Sequence, residues 1–225
     1  MYVSAIVLAA GRGERFKSKI PKPLVKINSK PLIIYSLEAL SKSPRIREII
    51  VVVNSLNQKQ IIRCIKKYRI KKVAKIVLGG KERQDSVSCG LKAVNPAADL
   101  VLIHDAARPC INTELIHALI SKAKKTGSAI AGVPVKATIK EVCGNIRVKR
   151  TLNRNNLWEI QTPQVFKKKL ILEAYRKYGK FPVTDDAMLV EKSGRKVYLV
   201  QGSYNNMKVT APEDLLIAGA IIRGG

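Results

Sequence analysis

Histidine occurs only twice, at His104 and His117, and aromatic side chains make up 5% of the chain. The residue types that build most metal centres and base-stacking surfaces are therefore scarce. The four cysteines, Cys64, Cys89, Cys110 and Cys143, lie far apart without any C-x-x-C spacing, which argues against a zinc site and against a disulfide framework. Cys64, set among Ile61, Ile62 and Ile65, reads as a small buried hydrophobe in a reducing compartment, so a cytoplasmic location is expected. Long apolar runs are missing as well. The stretch from Val3 to Ala10 is too short for a bilayer span or a signal h-region, and no membrane or export targeting is expected. Acidic residues are few, 16 against 42 Lys and Arg, leaving +26 on 225 residues. A charge of this size suits either nucleic acid or anionic substrates. The cations are dispersed over Lys66-Lys67, Lys71-Lys72, Lys124-Lys125 and Lys167 to Lys169. Most of them read as solvated helix faces, with a smaller share near an active site, and no specific nucleic acid is expected.

What the chain does contain is an alternation of short β-branched runs with helical patterns. Val3 to Ala9, Ile49 to Val53, Ala74 to Leu78, Leu100 to His104, Ala129 to Val133 and Val197 to Val200 read as strands, several of them apolar at consecutive positions. A mainly parallel sheet covered on both faces requires that pattern. Between them, Leu32-Ile33-Leu37-Leu40, Ile61-Ile62-Ile65 and Leu115-Ile116-Leu119-Ile120 recur at helical spacing, with Asn57 and Asn112 or Thr113 as expected caps. The expected fold is α/β, a doubly wound, Rossmann-like, mainly parallel sheet. Thr138 to Val142 and Ile146 to Arg150 alternate in period two around Cys143-Gly144-Asn145 and predict a hairpin. Its thin apolar content marks it as a projecting arm. One domain over 1–225 is expected, with the β-arm at about 136–158, since no repeat, low-complexity tract or linker divides the chain.

The first strand leads into Ala9-Ala10-Gly11-Arg12-Gly13-Glu14-Arg15-Phe16 and then Pro21-Lys22-Pro23-Leu24. Glycines with cations at a strand end let backbone N–H groups approach phosphate oxygens, although a plain glycine turn would look the same. No Gly-Lys-Ser/Thr follows, so this is not a Walker A loop. Further along come Gly79-Gly80-Lys81-Glu82-Arg83-Gln84-Asp85-Ser86, His104-Asp105-Ala106-Ala107-Arg108-Pro109, Leu157 to Gln164 containing Thr162-Pro163-Gln164, and Lys208-Val209-Thr210-Ala211-Pro212-Glu213-Asp214. Taken together these motifs resemble the 2-C-methyl-D-erythritol 4-phosphate cytidylyltransferases of the sugar-nucleotidyltransferase superfamily, over nearly the whole chain.

The resemblance implies transfer of CMP from CTP to a polyol phosphate, with Mg2+ and release of pyrophosphate. It places Ala9, Ala10, Gly11, Gly13, Gly80, Ser86, Asp105 and Ala106 around the nucleotide and Arg15 and Lys22 at the α-phosphorus as the catalytic cations. Arg154, Lys208, Thr138, Arg108 and Thr184 fall to the acceptor, and Asp105 is the expected contact to the metal shell or the ribose. A homodimer formed through the arm is implied too. The chemistry fits independently, because a phosphate monoester with a second pKa of about 6 is largely dianionic at neutral pH and needs no general base. Such a reaction needs alignment and positive charge at phosphorus.

For Asp105 a turn or helix cap is the other reading, and for Thr184-Asp185-Asp186 it is a helix N-cap. Lone Trp158 reads as packing that steadies the Thr162-Pro163-Gln164 loop, and His104 as structural. Pro23 stands where the family usually has glutamine, Asn153 where it has aspartate, and Asn156 and Asn205 also depart from its pattern. A cytidylyltransferase for ribitol 5-phosphate is the alternative enzyme, and a basic nucleic-acid-binding protein or a non-catalytic homologue the alternatives outside catalysis.

Overall fold

The computed structural model describes residues 1–11, 16 and 20–224. The expected loop residues Gly13 and Arg15 lie outside them. Along the chain run β1 (Val3–Leu8), β2 (Lys26–Ile27), β3 (Lys30–Pro31), α1 (Leu32–Lys42), β4 (Ile46–Val53) and α2 (Gln58–Lys67). Next come β5 (Val73–Leu78), α3 (Arg83–Ala93), β6 (Leu100–Asp105), α4 (Thr113–Thr126) and β7 (Ser128–Pro134). The arm strands β8 (Lys140–Cys143) and β9 (Arg147–Thr151) precede β10 (Trp158–Lys167), α5 (Lys168–Tyr178), α6 (Ala187–Lys192), β11 (Leu199–Gln201) and α7 (Asp214–Gly224).

Among the described residues, one seven-stranded sheet has the order β11-β7-β10-β6-β1-β4-β5. Its pairs are parallel except for the two made by β10, which runs against both β6 and β7. The consecutive β-branched residues of β1 and β4 are apolar on both faces because both faces are covered. Val3, Ala5, Val7, Ile49, Val51 and Val53 pack with α1, α2 and α4 through Leu37, Ile61 and Leu119. The alternate residues Ile6, Ile50, Val52, Val101 and Ile103 pack with α3, α5 and α6 through Val87, Ile171 and Leu189. A strand's period of two thus divides the apolar residues between two layers of helices, the doubly wound arrangement expected from the sequence. Each fully buried Ile or Leu here contributes roughly 1.5–3 kcal/mol by leaving water. A third cluster of Phe16, Ile27, Leu32, Ala107, Val209 and Ala218 seats α7 against the β2–β3 ribbon.

Asn112 caps α4 as expected, its side-chain oxygen accepting from the Leu115 N–H at 3.0 Å, and Gly127 at φ +93° ends the helix. Asn57 does not cap α2 with its side chain. The stretch expected as a Thr162-Pro163-Gln164 loop is instead inside strand β10, with a cis Thr162–Pro163 bond and a break in register between Ile160 and Gln164. The hairpin is present but begins at Lys140, so Thr138 precedes it. Its apolar residues Val142, Ile146 and Val148 are all more than half exposed. Glu141 bonds Lys149 at 2.7 Å and Arg150 at 2.6 Å on its surface, contacts that contribute little in water.

Candidate active site

Parallel strands end on one side of a doubly wound sheet, and there the ends of β1, β5 and β6 surround a cleft of about 350 Å3. Leu8, Ala9, Ala10 and Gly11 form one wall. Two asparagines behind it hold the turn in place. The Asn57 amide donates to the Ala9 carbonyl and the Asn54 amide to the Ala10 carbonyl, each at 2.9 Å. The pair also cross-brace, Asn54 N–H donating to Asn57 Oδ1 at 3.1 Å and Asn57 N–H to Asn54 Oδ1 at 2.9 Å.

The opposite wall follows β5. A Cβ on Gly79 would fall 2.5 Å from Ser86 Oγ, and one on Gly80 would fall 2.3 Å from the Asp85 Cβ. Only glycine lets the chain pass this close to the start of α3. That start is a capping box in which Glu82 and Asp85 satisfy each other's N–H groups. Ser86 is buried one turn into the helix and lines the cleft with Lys81, Glu82 and Arg83.

Asp105, the last residue of β6, is almost completely buried and yet sits between two cations. Arg83 Nε lies 3.6 Å from one carboxylate oxygen and Lys208 Nζ 2.6 Å from the other. Burial alone would raise the carboxyl pKa, but Arg83, Lys208 and Arg108 overcome it and hold Asp105 ionised. Arg83 is itself anchored at the back, its Nη2 2.8 Å from the fully buried Asp186, which also accepts from the Tyr175 hydroxyl at 2.5 Å. Burial would lower the Arg83 pKa, yet Asp186 and Asp105 together raise it. Burial and then Asp186 push the Tyr175 hydroxyl up, so it stays a donor.

His104 is structural, as the sequence suggested. The Asp105 N–H donates to Thr162 Oγ1 at 3.1 Å, and that hydroxyl lies 3.1 Å from His104 Nδ1. The Arg108 carbonyl, 3.2 Å from Nε2, can only accept, so the proton of the neutral ring sits on Nε2 and Nδ1 accepts from the Thr162 hydroxyl. Burial holds this imidazole down to about 4, and it is neutral.

Lys22 reaches the cleft from a short 3-10 turn after Pro21, its Nζ donating to the Val209 carbonyl at 2.9 Å. The loop carrying Val209 and Lys208 is tied by Asp214, which accepts from Thr210 N–H at 2.6 Å, Thr210 Oγ1 at 2.9 Å and Ala211 N–H at 2.9 Å. Desolvation works against that carboxylate, but these donors and Lys22 hold its pKa below the usual range.

Of the residues expected from the sequence, Ala9, Ala10, Gly11, Lys22, Gly80, Ser86, Asp105, Ala106 and Lys208 all line this one cleft. Arg108 does not. It is buried behind β6 with its guanidinium donating to the Asn206 carbonyl at 2.8 Å and the Ile160 carbonyl at 3.4 Å. In this arrangement its guanidinium braces the Asn206 segment against strand β10. Thr138, Arg154 and Thr184 are exposed and absent from the cleft wall of their own chain. The Thr184 side chain does not cap α6 either, since Asp185 accepts from the Met188 N–H at 3.0 Å. None of Asn54, Asn57 and Arg83 was expected at the site: Asn57 was read only as a cap, and Arg83 only as part of the Gly79 to Ser86 motif. Their partners lie 44, 48 and 103 residues away, and no local pattern signals them.

Comparison with known proteins accords with this geometry. The IspD family model, described as 2-C-methyl-D-erythritol 4-phosphate cytidylyltransferase, matches residues 3–224. A protein of that name from Geobacillus kaustophilus is 42% identical over 224 residues, covering 99% of this chain and 97% of its own. Another from Clostridium botulinum (strain Langeland) is 44% identical over 221 residues, covering 97% and 96%. A crystal structure of 4-diphosphocytidyl-2C-methyl-D-erythritol synthase from Anaerococcus prevotii superposes with a TM-score of 0.86 at 35% identity, covering 99% of this chain and 98% of that one. A glycine-walled cleft with Lys22, Asp105 and Lys208 converging on it, and likeness along almost the entire length, make this chain a member of the 2-C-methyl-D-erythritol 4-phosphate cytidylyltransferase family.

Proposed function

We propose that this chain transfers the cytidylyl group of CTP to 2-C-methyl-D-erythritol 4-phosphate, giving 4-diphosphocytidyl-2-C-methyl-D-erythritol and pyrophosphate. The observation that carries it is the convergence of Lys22, Lys208 and Arg83 with the turns at Ala9–Gly11 and at Gly80 in one cleft of a family member. The turns and Ser86 hold the nucleotide. An oxygen of the acceptor's phosphate attacks the α-phosphorus, the bond from that phosphorus to the bridging oxygen breaks, and pyrophosphate leaves with the electron pair. Lys22, with Arg15 from the segment outside the described residues, meets the charge that builds on the α-phosphoryl oxygens. Lys208 of the same chain and Arg154 and Thr138 of a second copy take the acceptor.

That second copy is part of the proposal. Arg154 and Thr138 sit on an arm whose Val142, Ile146 and Val148 face solvent, and docking on a mate would cover them and deliver both side chains. Asp105, a carboxylate in the cleft wall, suits the shell of a Mg2+ held chiefly by triphosphate oxygens. Bound there, the ion would neutralise phosphate charge. No helix is long and apolar enough to cross a membrane among the described residues, and the four free cysteines suit a cytoplasmic enzyme.

The test follows pyrophosphate release with Mg2+ and each nucleoside triphosphate against methylerythritol phosphate and ribitol 5-phosphate. CTP with methylerythritol phosphate should turn over far faster than any other pair. Equal rates with the two polyol phosphates would sink the acceptor assignment.

A further inference from the structure

The two cations on Asp105 are held very differently. Arg83 rises from the first turn of α3 and is fixed behind by Asp186, which is fully buried and is held in turn by Tyr175 on α5. Lys208, on a loop, has Asp105 as its only charged partner among the described residues, and more than a third of its side chain is exposed. A guanidinium can bridge two carboxylates with separate nitrogens, as Arg83 does through Nε and Nη2. A lysine ammonium is a point charge on a flexible stem that moves readily to a new anion. A phosphate arriving at the rim of the cleft therefore competes with Asp105 for Lys208 and not for Arg83.

We propose that Arg83, Asp186 and Tyr175 form a positioning relay that keeps Asp105 in place and charge-compensated while Lys208 leaves it for the acceptor's phosphate. The inference rests on the substrate assignment above. If Arg83 were loosened, Lys208 would be the one cation left in contact with Asp105, with Arg108 acting only from farther off, and the incoming phosphate would have to draw that contact away from a buried carboxylate. Uncompensated buried charge is costly, so acceptor binding should weaken. CTP, bound chiefly by the turns and Ser86, should lose less, although Arg83 lines the same cleft.

Three variants of the whole enzyme test this. Arg83→Lys keeps the charge but cannot span both carboxylates, Asp186→Asn weakens the rear anchor, and Tyr175→Phe removes one donor to it. Kd for CTP is measured by calorimetry, and KM for CTP and for methylerythritol phosphate by pyrophosphate release, with thermal unfolding as the folding check. The expected result is a rise of about tenfold or more in acceptor KM for Arg83→Lys and Asp186→Asn and of a few-fold for Tyr175→Phe, with a clearly smaller loss of CTP affinity in each variant. Should Asp186→Asn fail to fold, the other two variants carry the test. Equal losses for both substrates, or unchanged acceptor KM in variants that fold, would overturn the relay. A wild-type enzyme that does not turn over CTP with methylerythritol phosphate would instead remove the substrate assignment, and the relay with it.

Discussion

Replacing Asn57 with alanine tests whether the nucleotide turn is held from behind by side chains. The Asn57 side chain is fully buried, donates to the Ala9 carbonyl at 2.9 Å and accepts from the Asn54 N–H at 3.1 Å. Removing it leaves two backbone groups without those partners, at roughly 1–3 kcal/mol each. Taking about 3 kcal/mol for the pair, and about 2–4 °C per kcal/mol for a chain of this size, Tm should fall by roughly 6–12 °C. Asn54→Ala is the comparison. That side chain is half-buried, so water can replace its bond to the Ala10 carbonyl and the loss should be smaller. Because the released turn forms one wall of the cleft, Kd for CTP should also rise, by about tenfold for each 1.4 kcal/mol needed to order it again. Differential scanning calorimetry and titration with CTP measure the two effects. A Tm within about 2 °C of wild type together with unchanged CTP affinity would show that the turn holds its shape without the clamp, and the reasoning would be wrong.

Lys22→Ala should lower kcat by at least about a hundredfold, since preorganised charge at a transition state is worth several kcal/mol; a rise in KM alone would make Lys22 a uniform binding residue. Arg154→Ala and Lys22→Ala should each be nearly inactive, yet equal amounts allowed to exchange subunits should regain about a quarter of wild-type sites, because half of the dimers are mixed and each has one intact site. Mixed dimers that form, as shown by mass labelling, without regaining activity would place the arm in its own active site. Burial pushes the Cys110 thiol up to about 11, so at pH 8 it should alkylate with iodoacetamide far more slowly in the folded protein than after unfolding; equal rates would contradict its burial.

The parts of the fold that could be read from the sequence were those written in one short stretch. The stretches Val3 to Ala9 and Ile49 to Val53 declare buried parallel strands by their runs of consecutive apolar residues, and Asn112 announces the start of α4 as its cap. Strand β10 was not legible because Trp158 to Lys167 lacks a clean period and contains Pro163, which normally argues against a central strand. It can sit between β6 and β7 because the register breaks at that proline. Much of the cleft was legible through its motifs, which name Ala10, Gly80, Asp105 and Lys208 directly. What holds those residues was not. Asn57 reads locally as a helix cap and acts instead on a strand end, while Arg83 and Asp186 are 103 positions apart and meet only once the sheet has formed. Arg108, read with its Asp-Ala-Ala-Arg neighbours as a ligand contact, has two backbone carbonyls as partners, at Asn206 and Ile160, that no local pattern announces.

The arm leaves the sheet at the end of β7 and returns as β10, its immediate neighbour, with Pro134 opposite Trp158 and the Val135 N–H bonded to the Leu157 carbonyl at 3.0 Å. The strands therefore meet whatever lies between them, and the insertion costs the fold little beyond closing a loop whose ends already touch, a penalty that grows only slowly with length. This makes the segment between Pro134 and Trp158 an interchangeable cassette. A relative's arm of different length or charge could be grafted at the same two points with the nucleotide cleft undisturbed; under the function proposed above, acceptor preference and choice of mate would then diverge while the chemistry at the α-phosphorus stays the same.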